Sequence, residues 1–86
     1  MVHAITILHP DNPEIVLYNF PLPPCVDERT RQRLNDFALA FTAAVEAMKE
    51  LLTEDQAAEV IPPMVAAAGN FLESVIEKYP KAKELN

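Results

Sequence analysis

Eighty-six residues, half of them hydrophobic and only one a glycine, make a single small folded domain, too short for two cores and too apolar for disorder. A net charge of −6, from 13 acidic and 7 basic residues, repels nucleic acid, so direct nucleic-acid binding is not expected and a basic protein partner fits better. The lone Cys25 excludes an internal disulfide and points to a reducing, cytoplasmic setting.

The first residues, Met1-Val2-His3-Ala4, have no basic region ahead of their apolar stretch. That stretch is broken at His9-Pro10, so neither a secretory signal nor a membrane span is expected.

Residues 2–20 predict a β-hairpin. Val2–His9 and Glu14–Phe20 are rich in β-branched and aromatic types, and Pro10-Asp11-Asn12-Pro13 between them is turn chemistry. A four-residue loop would pair His9 with Glu14, Ile7 with Val16, Ile5 with Tyr18 and His3 with Phe20 on one face. The other face would carry the pairs Leu8–Ile15, Thr6–Leu17 and Ala4–Asn19. The first face is the better candidate for the core. The second still presents Leu8, Ile15 and Leu17, too much apolar surface for a wall left in water. A lone two-stranded hairpin is marginal and has two open edges. The expectation is therefore a homodimer whose interface is built from Leu8, Ile15, Leu17 and Thr6. The plainer alternative is that the rest of one chain wraps both faces.

Residues 21–27 form a proline-rich linker through Pro21-Leu22-Pro23-Pro24, and here the apolar period changes from two to between three and four. Asp27 is a suitable N-cap for a helix over 28–52. Its apolar stripe is Leu34, Phe37, Phe41, Ala44, Met48 and Leu51, widened by Ala38, Val45 and Leu52. At ~1.5 Å per residue such a helix is near 37 Å long, against about 23 Å for a seven-residue strand, so it needs a second helix beside it.

Thr53-Glu54-Asp55-Gln56 is a capping-box pattern that starts a new helix at once. Pro62 and Pro63 favour a break, giving a short helix over 54–61 and another over 63–79; one kinked helix is the alternative. The last helix would turn Met64, Ala67, Ala68, Phe71, Val75 and Tyr79 inward, with Leu72 and Ile76 beside them. The predicted fold class is thus α+β, an N-terminal antiparallel hairpin with two to three helices packed on one of its faces.

The chemistry-bearing residues are sparse. His3 and His9 share a strand face but lie about 20 Å apart, too far to ligate one metal, and no cofactor or metal is expected. Cys25 sits near a helix start and Arg29, which could activate a thiolate, yet a small apolar residue in a packed linker is the plainer reading. Arg29, Arg31 and Arg33 oppose the dipole of the helix they begin. They are candidates for contact with an anion or an acidic partner, or for salt bridges within the helix to Asp27, Glu28 and Asp36.

Between Leu34 and Glu77, eight acidic residues face Lys49 alone, with further cations at Lys78, Lys81 and Lys83. Glu46, Glu50, Glu54, Asp55 and Glu59 would form a negative ridge able to meet a basic partner. Three readings of function result. The first is a non-enzymatic interaction or adaptor protein that self-associates through the hairpin. The second is an acidic inhibitor, of immunity, antitoxin or anti-defence type, that blocks a basic site. The last and least supported is a small enzyme or ligand-binding domain around Cys25, Arg29 and Tyr18.

Overall fold

A computed structural model describes residues 1–79. In chain order they form strand β1 (Ala4–Leu8), strand β2 (Val16–Pro21), helix α1 (Glu28–Leu51) and helix α2 (Glu54–Ile76). The two antiparallel strands make a sheet on their own, and both helices pack on one of its faces, giving an α+β domain. Lys81 and Lys83 lie outside the described residues. No helix among the described residues is long and apolar enough to cross a membrane.

The hairpin register is two residues away from the expected one. Ile5 lies opposite Phe20, Thr6 opposite Asn19 and Ile7 opposite Tyr18. Because side chains alternate with a period of two, a two-residue slide keeps the same side chains on the same face. Ile5 and Ile7 are accordingly in the core, with Tyr18 and Phe20 packed against it.

The slide comes from a longer loop. The His9 N–H donates to the Ile15 carbonyl at 2.8 Å, and the Ile15 N–H folds back onto the Asn12 carbonyl at 2.9 Å. A bulge between Ile7 and Leu8 then sets Leu8 opposite Val16, and the ladder skips Leu17. The pairing expected between Ile7 and Val16 does not form, and Val16 is exposed on the outer side.

Asp27 caps α1 through its carboxylate, which accepts from the Thr30 N–H at 3.3 Å and the Thr30 hydroxyl at 2.5 Å. The two helices are joined by a tight corner at Leu52 and Thr53. There the Thr53 hydroxyl accepts from the Gln56 N–H at 3.2 Å and the Gln56 side chain accepts from the Thr53 N–H at 3.0 Å.

The break at Pro62-Pro63 does not occur: α2 runs unbroken from residue 54 to 76 with both prolines inside it. Pro62 has no N–H for the carbonyl of Ala58, and Pro63 has none for that of Glu59. Both carbonyls belong to exposed residues, where water can take the missing donor's place, and packing of the flanking Ile61 and Val65 in the core holds the helix through the interruption.

α1 keeps most of its expected stripe, with Phe37, Phe41 and Met48 packed against the core, whereas α2 is rotated from its own. In α1 the buried positions are Arg31, Leu34, Ala38 and Val45, while Ala44 and Leu51 face solvent. In α2 they are Ile61, Val65, Ala68, Gly69, Leu72 and Ile76, while Ala67 is exposed and Phe71 half exposed, its ring 5.0 Å from that of Phe37.

The rotation of α2 is explained at Gly69, the one glycine of the chain. The Tyr18 ring lies so close to the helix there that a Cβ on residue 69 would sit 2.6–2.9 Å from its far ring atoms. Only a residue without a side chain admits the ring, although glycine in a helix interior costs about 1 kcal/mol relative to alanine.

Candidate interaction surfaces

The base of the hairpin, where β1 starts and β2 ends, is closed by Arg31. Its side chain is 4% exposed. Nε donates to the Val26 carbonyl at 2.8 Å, Nη1 to the Val2 carbonyl at 2.8 Å and Nη2 to the Pro23 carbonyl at 2.7 Å. The planar fork thereby ties the N-terminal segment, the proline linker and α1 together.

Arg31 is therefore withdrawn from the anion-binding set, because its guanidinium is buried and spent on backbone acceptors. Arg29 stays exposed, and Arg33 is exposed beside Asp36 at 3.7 Å, a weak surface pair. Sequence alone grouped three arginines whose environments differ. Thr30, with Arg29 as the smallest contributor, also holds the Asp27 carboxyl below its ordinary value of 3.8 by hydrogen bonding and charge.

The outer face of the hairpin carries Leu8, Ile15, Val16 and Leu17, all exposed. Thr6 lies among them and its hydroxyl donates to the Asn19 side-chain carbonyl at 3.3 Å. Among the described residues the helices leave this face open and no further strand pairs with the β2 edge.

The acidic residues Glu46, Glu50, Glu54, Asp55 and Glu59 are all exposed. Glu54 and Asp55 occupy the first turn of α2, where the helix dipole favours negative charge without any partner. Lys49, the cation among them, is turned to the hairpin loop: its Nζ donates to the Pro10 carbonyl at 2.8 Å and lies 3.5 Å from Asp11.

His9 takes a different partner from the expected Glu14. Its Nδ1 accepts from the Asp11 N–H at 3.0 Å, and the Glu14 N–H goes to the Asn12 side chain at 3.1 Å. No group of three or more His, Cys, Asp or Glu converges on a metal-sized space among the described residues. Cys25 is exposed in the linker. Tyr18 is committed to packing, stacked on Phe20 at 5.8 Å and seated on Gly69.

Sequence reasoning missed a groove of about 850 Å³ between the β2 edge and the N-terminal half of α2. Its walls include Leu17 and Tyr18 from β2, Leu52 from the corner, and Ala58, Ile61 and Val65 from α2. Asp11, Lys49 and Glu54 also line it. That volume and that mixture of apolar wall with a few polar groups are typical of binding clefts. The signal in the sequence was Pro62, which lines the groove and removes one hydrogen bond from the unbroken helix beside it.

The chain matches no protein-family model, no curated protein and no solved structure.

Proposed function

We propose that this protein acts by contact and not by catalysis, as a small interaction or adaptor protein that forms a homodimer through the outer face of its hairpin. The observation that carries the reading is the exposed apolar set Leu8, Ile15, Val16 and Leu17 on a two-stranded sheet with open edges. Such a sheet is marginal by itself and prone to pair or stack. A second copy would cover this face with a like face and keep the helices outside.

Sedimentation velocity over a concentration series tests it. The wild type is expected to move from monomer to dimer, and Leu17→Glu and Ile15→Glu to remain monomeric with unchanged circular dichroism. A mass that stays monomeric at every concentration removes the reading.

A second reading, an acidic inhibitor of a basic site, is favoured by the exposed carboxylates Glu46, Glu50, Glu54, Asp55 and Glu59 and by the engagement of Lys49 elsewhere. It requires binding that weakens with salt and is lost on reversing Glu50 and Glu54 to lysine.

A further inference from the structure

The groove beside β2 shares Leu17 with the exposed outer set, but Leu8, Ile15 and Val16 are not among its lining residues and it has a chemistry of its own. Its floor is apolar, formed by Tyr18, Leu52, Ile61 and Val65. Its polar atoms are mainly acceptors. Glu54 lines it at the start of α2, Asp11 lines it from the loop, and Ala58, one turn after Glu54, has a carbonyl that Pro62 cannot serve. The cation in the lining, Lys49, already donates to the Pro10 carbonyl and lies 3.5 Å from Asp11, so Glu54 is the carboxylate of the lining left for an occupant. Negative charge continues past the groove at the exposed Glu50, Asp55 and Glu59. An occupant must therefore bring apolar side chains for the floor and hydrogen-bond donors, best cationic, for the rim. Those three carboxylates are not among the lining residues, so an occupant that also meets them must run past the groove, which favours a chain segment over a small molecule.

We propose that this groove binds a basic amphipathic helix of a partner protein, with its apolar stripe on Tyr18, Leu52, Ile61 and Val65 and its lysines or arginines toward Glu54 and the Ala58 carbonyl. The proposal shares with the proposed function only the premise that the protein acts by contact. Self-association is read separately, by sedimentation, and either can fail without the other.

Fluorescence anisotropy with a labelled leucine–lysine peptide, its leucines at i, i+3, i+4 and i+7, provides the test. Saturable binding to the wild-type chain is expected, weakened at least about tenfold in Ala58→Trp, a change at an exposed position that fills the groove. Glu54→Lys should weaken it more than Glu73→Lys, which makes the same charge change on an exposed part of α2 away from the groove. Circular dichroism should show both groove variants folded. The proposal is overturned if the peptide does not bind, if Ala58→Trp binds it as tightly as the wild type, or if a leucine–glutamate peptide of the same pattern binds equally well. It also fails if the neutral dye Nile red, and not the peptide, occupies the groove in a manner Ala58→Trp blocks. Dissociation of a dimer by Ala58→Trp would fail it too, since a second copy would then be the occupant.

Discussion

At the base of the hairpin one buried guanidinium draws three segments together, with each of its bonds ending on a backbone carbonyl. At the turn, the residue reaching from helix to hairpin is Lys49, a flexible ammonium whose targets are the part-buried Pro10 carbonyl and the exposed carboxylate of Asp11. The base is closed over the buried Arg31, Pro23 and Val26, while the turn end opens into a groove. The contrast shows how a small domain with a thin core can fix one end of its sheet firmly and leave the other shaped for contact. The difference lies in the donors: a planar fork can satisfy several carbonyls at once in the interior, whereas a point charge near water gains little from any one of them.

Removing Arg31 breaks the comparison most directly. Arg31→Ala leaves the buried carbonyls of Pro23 and Val26 and the part-buried one of Val2 without this donor, and a loss of about 3–5 kcal/mol is expected in urea unfolding. For a domain of this size that is enough to unfold much of the population. Arg31→Lys should recover only part, because an ammonium lacks the fork. A loss below about 1 kcal/mol would show that the base is not held this way.

Gly69, midway between the two ends, is expected to give the next largest effect. Gly69→Ala gains helix propensity but forces the Tyr18 ring off its seat, for a net loss of roughly 1–2 kcal/mol. In a Tyr18→Ala background the same change should become stabilising, and a double-mutant cycle reads the reversal. At the turn end, Lys49→Ala should cost only about 0.5–1 kcal/mol. A cost equal to that of Arg31→Ala would erase the distinction between the ends.

The smallest expected effect is the pH dependence of the α1 cap. The Asp27 carboxyl is held below its ordinary 3.8 in the folded chain, first by the Thr30 hydroxyl. A lowered folded-state value means that its contribution is fully present above about pH 3.8 and fades as pH falls through the folded value. Asp27→Asn should retain the cap and flatten that part of the profile. A curve identical to the wild type below pH 3.8 would show that the carboxylate form adds nothing.

Much of the candidate surface was legible in the sequence, and the groove was not. The exposure of Leu8, Ile15 and Leu17 was readable from strand alternation, but that of Val16 was not, because the bulge between Ile7 and Leu8 breaks the alternation there. Arg31 could not be told from Arg29 and Arg33 by spacing, since all three precede the apolar stripe. What separates them is a carbonyl of Val2, 29 residues away in the chain. The prolines misled for a related reason: locally they disfavour helix, and the core contacts of Ile61 and Val65 outweigh that preference.

The sequence by itself determined the features that depend on a few neighbouring residues. These are the alternation that puts Ile5 and Ile7 inward, the Asp27 cap, and the reciprocal bonds of Thr53 and Gln56 that turn the chain between helices. Tertiary structure alone decided the register, the rotation of α2, the burial of Arg31 and the opening beside β2. The physical reason is range. Caps and parity are settled by atoms a few residues apart, whereas register and rotation are settled by which distant surfaces fit, here by the seat that Gly69 offers Tyr18 and by the carbonyls that converge on one guanidinium.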